Sequence, residues 1–76
     1  MLKEILKAKK TGQKVLNLNG LLLNKSAKEI NEIFNEISKL TNLTDLDLSG
    51  NKLTDLPEAI TKLTNLTYLD LNDNQL

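Results

Sequence analysis

Cysteine, histidine, arginine and tryptophan are all absent from the 76 residues. Without cysteine the chain has neither a disulfide framework nor thiolate metal ligands. Without histidine it also lacks the commonest general base and the commonest metal ligand. We therefore expect no metal and no cofactor, and the composition favours a protein that is not an enzyme.

Long apolar runs are also missing. The first ten residues, MLKEILKAKK, are charged throughout and lack the apolar stretch and cleavage site of a secretory signal. No segment approaches the roughly 20 apolar residues that span a bilayer. With no arginine and only Phe34 and Tyr68 as aromatics, a nucleic-acid surface is not indicated. The sequence predicts a cytoplasmic protein with neither a membrane nor a nucleic acid as partner.

The charge is balanced overall but unevenly distributed. Residues 1–28 hold seven lysines against Glu4, a net charge of +6, whereas residues 29–76 hold three lysines and nine acidic residues, a net charge of −6. Opposite charges on the two parts of the chain favour association of copies. Such an attraction should weaken as the salt concentration rises.

Leucines and one asparagine recur at a fixed spacing. Leu40, Leu43, Leu46, Leu48, Asn51 and Leu53 return 23 positions later as Leu63, Leu66, Leu69, Leu71, Asn74 and Leu76. Self-similarity at a fixed period is the signature of a repeat protein, in which each unit buries its apolar face only by stacking on a neighbour.

The segment LTNLTDLDLSGNKLTDLPEAITKL resembles a leucine-rich repeat, and its LPEAI stretch is similar to the LPxxI subclass of intracellular and bacterial repeat proteins. The resemblance is highly specific over residues 40–76 and weaker over residues 15–39. It implies an α/β fold: a short solenoid with a parallel concave sheet and an amino-terminal capping helix. It also implies a function in protein recognition.

The spacing itself explains which side chains turn inward. Leu46 and Leu48 lie two residues apart, so on a strand they point to the same side, and Asp45 and Asp47 point to the other. The alignment predicts parallel strands near residues 15–18, 45–48 and 68–71, with a short turn near residues 57–62 on the convex side.

Asn51 and Asn74 are polar residues among leucines. An asparagine side chain can both donate to and accept from backbone groups that a turn leaves unpaired, so we predict a structural ladder of stacked asparagines. Leu21 occupies the equivalent position in the first unit, which is typical of a terminal coil.

The first unit aligns with the second at an offset of 30 residues. This offset places Leu16, Leu18, Gly20 and Leu23 on Leu46, Leu48, Gly50 and Leu53. Its extra residues show helical apolar spacing and a capping box formed by Ser26 and Glu29, which predicts a helix over residues 26–39.

Four segments follow from these patterns. Residues 1–14 form a capping helix with an apolar stripe of Leu2, Ile5 and Leu6 and with Gly12 as its end. Residues 15–39 form an atypical first unit with a long helix, residues 40–62 a full repeat, and residues 63–76 a truncated repeat.

The carboxyl-terminal side of the solenoid has no predicted cap. We call its apolar residues the open end: Leu66, Leu69, Leu71 and Leu76. An uncovered strand edge and apolar end predict self-association. The alternative is that the chain is the amino-terminal fragment of a larger repeat protein, whose effector or enzymatic domain lies beyond residue 76.

The solvent-facing strand positions form three rows, which we call the concave face. The rows are Val15, Asp45 and Tyr68; Asn17, Asp47 and Asp70; and Asn19, Ser49 and Asn72. The candidate protein-binding residues are Asn17, Asp45, Asp47, Tyr68, Asp70 and Asn72. Adjacent carboxylates repel each other, which favours a basic partner, although hydration alone would also accommodate them. Nothing in the pattern builds the cleft that a catalytic carboxylate pair requires.

Overall fold

The computed structural model describes residues 2–76 and contains two α-helices, a 3₁₀ helix and a small sheet. Helix α1 spans Lys3–Thr11, helix α2 spans Ala27–Ile37, and a 3₁₀ helix spans Glu58–Lys62. Strands β1, β2 and β3 span Val15–Asn17, Asp45–Asp47 and Tyr68–Asp70. Residue 1, which the predicted capping segment includes, lies outside the described residues.

The three strands form one parallel sheet in the order β1-β2-β3. Each strand is one residue shorter than predicted, but the hydrogen bonding continues: the Leu18 amide donates to the Asp47 carbonyl and the Leu48 amide donates to the Asp70 carbonyl, both at 2.9 Å. The register aligns Leu16, Leu46 and Leu69, as the repeat predicts. The chain is therefore a short stack of coils with one open parallel sheet.

Helix α1 packs beside β1 at the amino-terminal edge of the sheet. It ends at Gly12, whose positive φ of 67° lets its amide donate to the Ala8 carbonyl at 2.9 Å. Ile5 and Ala8 are buried, whereas Leu6 is 51% exposed. The predicted stripe was wrong for Leu6, because a residue adjacent to Ile5 lies about 100° around the helix and faces away from the core.

Helix α2 lies on the opposite side of the sheet from the concave face and begins with the predicted capping box. The Glu29 amide donates to the Ser26 hydroxyl, and the Ser26 amide donates to the Glu29 carboxylate. Ile33, Phe34 and Ile37 are buried in the same core cluster as the inward leucines of the strands. The helix ends two residues earlier than predicted, at Ile37.

Asn51 connects the first two coils through its side chain. Its Nδ2 donates to the carbonyls of Leu18 and Leu48 at 3.0 and 2.9 Å, and its Oδ1 accepts from the Leu22 amide at 2.9 Å. The residue is buried. All hydrogen-bonding groups of this side chain are therefore used on backbone atoms of two neighbouring coils.

Asn74 repeats the arrangement one coil later. Its Nδ2 donates to the carbonyls of Leu48 and Leu71 at 2.9 and 3.0 Å, and its Oδ1 accepts from the Leu53 amide at 2.8 Å. Asn74 is only half-buried. The bonds thus repeat with the 23-residue period, each asparagine bonding its own coil and the preceding one.

The first coil departs from the predicted alignment after Gly20. Leu22, at 1% exposure, fills the inward position, while Leu23 is 47% exposed. The equivalence of Leu23 and Leu53 was therefore wrong. The chain turns continuously from residue 19 to residue 24, and the Leu22 amide is drawn to Asn51, which shifts the inward position by one residue.

Removal of the Asn51 side chain should test how strongly the coils depend on it. We expect Asn51→Ala to lower the free energy of unfolding by about 2 kcal/mol or more, because buried backbone groups of Leu18, Leu22 and Leu48 would lose partners. Urea unfolding followed by circular dichroism measures this loss. The control is Asn31→Ala on the exposed side of α2. A loss below about 0.5 kcal/mol, the size of an ordinary surface change, would contradict the role.

Candidate functional site

The strand register matches the three predicted rows of the concave face. Val15 pairs with Asp45 and Asp45 with Tyr68, and the second row pairs Asn17, Asp47 and Asp70. Val15 and Tyr68 are 57% and 54% exposed, whereas the three aspartates are half-buried. The face therefore presents Val15 and Tyr68 on its two outer strands. The carboxylates lie on β2 between them and in the second row.

Each residue of the second row also forms a hydrogen bond in the turn that follows its strand. The Oδ1 atoms of Asn17, Asp47 and Asp70 accept hydrogen bonds from the amides two residues later, at Asn19, Ser49 and Asn72, over 2.9 to 3.0 Å. Such bonds are typical of aspartate and asparagine at turns. These side chains thus have a local structural role that the sequence analysis did not assign, although an asparagine or aspartate before each turn was a usable signal.

Ser49 links the second row to the third. Its hydroxyl donates to Asp47 Oδ1 at 2.5 Å and accepts from Asn19 Nδ2 at 2.7 Å. Ser49 is buried, so the third row is not uniformly solvent-facing as predicted, although Asn19 and Asn72 are exposed. The hydrogen bonds from the Ser49 hydroxyl and then its amide lower the pKa of the Asp47 carboxyl.

The carboxylates of the concave face form no ion pairs within residues 2–76. The ion pairs of this part of the chain join Glu36 to Lys9 and to Lys39, on the helical side. Asp45 accepts from the Thr44 hydroxyl at 2.8 Å, again through Oδ1. In Asp45, Asp47 and Asp70 alike, the hydrogen bonds from described residues fall on Oδ1, which leaves Oδ2 for a ligand or solvent.

Asp47 and Asp70 are direct neighbours across β2 and β3. Neighbouring strands lie about 4.8 Å apart, and like charges at opposite positions destabilise a sheet. A cation placed between the two side chains would remove this repulsion. Among residues 2–76, however, no group of three or more carboxylates is placed to hold a metal ion.

One cavity lies on the helical side, away from the concave face. It has a volume of about 440 Å³ and is lined by Leu2, Lys25, Glu29, Glu32, Ile33, Asn35 and Glu36. Glu29 is bonded to Ser26, and Glu36 is bonded to two lysines. These hydrogen bonds lower the pKa of Glu29 and of Glu36, so two of the three lining glutamates are already partnered.

The open end flanks the concave face at β3. Leu66, Leu69 and Leu71 are half-buried and Leu76 is exposed. Within residues 2–76, β3 pairs with β2 alone. Its other edge therefore carries backbone groups that no described strand covers.

The periodic leucines, the parallel sheet and the bonded asparagines together define a leucine-rich repeat solenoid. A family model for leucine-rich repeats, in two copies, matches residues 41–76. The chain is a leucine-rich repeat protein, and domains of this family generally mediate protein–protein interactions. Neither curated proteins nor solved structures gave a significant match. The LPxxI subclass stays a prediction.

None of the helices in the described part of the chain is long and apolar enough to cross a membrane.

The hydrogen bonds to Asp47 predict a specific titration behaviour. A carboxyl whose pKa is lowered in the folded state contributes stability above its unfolded pKa, and that stability is lost as the pH falls through the folded pKa. We expect Ser49→Ala to raise the pKa of Asp47 towards its ordinary value, because the hydroxyl donor is removed. Carboxyl NMR titration of both proteins measures the shift. An unchanged pKa, with the fold intact by amide NMR, would assign the effect to another group.

Proposed function

We propose that this leucine-rich repeat protein is a non-catalytic recognition module whose concave face binds a basic segment of a partner protein. The main support is that Asp45, Asp47 and Asp70 share one face, form no ion pair with a described lysine, and direct their internal hydrogen bonds to a single oxygen each. A lysine or arginine of the partner would bond the second oxygens and relieve the repulsion between Asp47 and Asp70.

The dimensions of the face suit a single secondary-structure element. Three strands at a spacing of about 4.8 Å give a width of about 10 Å between the outer strands. An α-helix with its side chains is about 10 Å in diameter. Tyr68 and Val15 would contact apolar side chains of such a helix, since exposed aromatics are common anchors at interfaces, and Asn17 and Asn72 would contribute hydrogen bonds at the edges.

We assign no reaction to this face. A catalytic pair of carboxylates requires a cleft that holds the substrate between them. Asp45, Asp47 and Asp70 are half-buried on an open sheet, and each accepts its local hydrogen bonds through Oδ1. An open face of this kind favours recognition of charge over catalysis.

The aspartates can be neutralised without removing their turn bonds. Asn17 makes the same bond as Asp47 and Asp70, so asparagine is compatible with the second row. We expect a short lysine-rich helical peptide to shift the amide NMR signals of β1, β2 and β3. We expect its affinity for the D45N/D47N/D70N variant to fall about tenfold or more, since close charge pairs contribute to such complexes.

The matched control neutralises three exposed acids on the helical side, in the variant E32Q/D55N/E58Q. This variant has the same net charge and should bind the peptide as the unmodified chain does. Equal losses in the two variants would reduce the effect to net charge, and peptide shifts confined to α2 would place the binding elsewhere. Either result would overturn the proposal.

A second contact, self-association, is favoured by the open end. The uncovered edge of β3 and the half-buried Leu66, Leu69 and Leu71 offer both backbone hydrogen bonds and apolar area to another chain. We propose that copies associate through this end.

The same end also fits the alternative that the chain is the amino-terminal part of a longer repeat protein. By the 23-residue period, the asparagine of a further coil would donate to the Leu71 carbonyl and accept from the Leu76 amide, as Asn74 does at Leu48 and Leu53. A further coil would then cover the edge of β3. The larger protein would supply any effector or enzymatic domain.

Light scattering at about 0.5 M salt isolates the apolar contact, because attraction between exposed charges is screened there. We expect the mass of the unmodified chain to rise with concentration and Leu71→Lys to stay monomeric and folded by circular dichroism. Thr64→Lys adds the same charge at an exposed position and is the control. If Leu71→Lys associates as strongly as the control does, the open end is not the interface.

A further inference from the structure

The outward face of helix α1 is basic with one leucine at its centre. Lys3, Leu6, Lys7 and Lys10 recur at helical spacings of three and four residues, so they lie on one side of the helix. All four are exposed, Leu6 at 51%. We call this set the basic helix face.

The lysines of the basic helix face are free for an intermolecular contact. Lys9, on another side of α1, donates to Glu36 at 2.8 Å. Lys3, Lys7 and Lys10 form no ion pair with any of residues 2–76. The face thus combines three uncompensated positive charges with an apolar side chain, which is the complement of the concave face.

We propose that the basic helix face of one copy docks on the concave face of a second copy of this chain. The proposal rests on the proposed function, since it takes the concave face as the binding surface and names its partner. Lys3, Lys7 and Lys10 would contact Asp45, Asp47 and Asp70 of the second copy. Leu6 would pack between the exposed side chains of Val15 and Tyr68, which stand on either side of Asp45 in the first row.

The charges of the two faces are spaced on the same scale. Along the helix, Lys3 and Lys7 are separated by a rise of about 6 Å, and Lys7 and Lys10 by about 4.5 Å. On the sheet, two residues of one strand rise about 6.6 Å and neighbouring strands lie about 4.8 Å apart. Flexible lysine side chains cover the remaining differences.

The contact must join two molecules. Within one chain, α1 packs against β1 and buries Ile5 and Ala8 in the core. The basic helix face points the opposite way, so it reaches the concave face of its own chain only if α1 leaves the core. That would expose the two buried residues and break the bond between Lys9 and Glu36.

A second copy explains more of the surface than an anionic membrane would. A membrane-binding helix buries several large apolar residues, whereas this face offers Leu6 alone. The carboxylates that match the lysines are already present on the same chain. Opposite charges on the +6 and −6 parts would therefore attract copies to each other at low salt.

Two variants that each remove one face provide the test. Both carry Leu71→Lys, which removes the proposed contact at the open end. The helix variant adds K7E/K10E and keeps the native concave face. The sheet variant adds D47N/D70N, keeps the turn bonds, and keeps the native basic helix face. Light scattering and sedimentation at low salt measure association of each variant and of their mixture.

We expect the Leu71→Lys parent to associate, each variant alone to associate at least about tenfold more weakly, and the mixture to form a one-to-one complex. The mixture recovers a single native contact, between the helix face of the sheet variant and the concave face of the helix variant. A matched control, K28E/K62E in the same parent, changes the net charge as K7E/K10E does at exposed positions outside α1. It should associate within about twofold of the parent, since exposed charges outside a contact contribute little.

Three results would overturn the inference: a parent that stays monomeric at low salt, variants that associate as the parent does, or a mixture that fails to form a complex although both variants are folded by amide NMR. The lysine-rich peptide separates this failure from failure of the proposed function. If the peptide binds the concave face while copies of the chain do not associate, the concave face is still a recognition surface, and its partner is another basic protein. If the peptide also fails to bind, both proposals fall.

Discussion

The coils of this protein are held in register by one asparagine side chain in each 23-residue repeat, buried at Asn51 and half-buried at Asn74. Asn51 uses both donor hydrogens and its acceptor on backbone groups of its own coil and the coil before it. Leucine stacking alone is non-directional and would tolerate sliding of one coil over another. The amide bonds fix the position of each turn, and that position in turn sets where the strand before it ends and which side chains reach the concave face.

The direction of these bonds explains why the first coil lacks an asparagine. Each asparagine bonds backwards, Asn51 to Leu18 and Leu22, and Asn74 to Leu48 and Leu53. A first coil has no preceding repeat, so an asparagine in place of Leu21 would lack the hydrogen-bond partners that the preceding coil supplies. The substitution that marks a terminal coil in the sequence therefore follows from hydrogen-bond direction, and the preceding space is filled by α1.

The sequence predicted what depends on the repeat and missed what depends on one turn. The 23-residue period, together with the 30-residue offset of the first unit, was sufficient for the strand register, the inward leucines of the strands and the positions of Asn51 and Asn74. It failed at Leu22, because the turn after Gly20 has its own path, and at Leu6, because a three-residue stripe does not define a helix face. The row of Asp47 was predicted, but its turn bond to Ser49 was not, although the asparagine or aspartate that recurs before each turn was a usable signal.

The turn bonds change how the acidic face is understood. An aspartate in the second row accepts a hydrogen bond from the turn after its strand, and Asn17 accepts the same bond. Turn formation therefore explains the polar residue but leaves the negative charge at Asp47 and Asp70 unexplained. The charge adds repulsion between neighbouring strands, which asparagine would avoid, and the cationic partner proposed above would remove it. The unpaired lysines of α1 present such a partner on every copy of the chain.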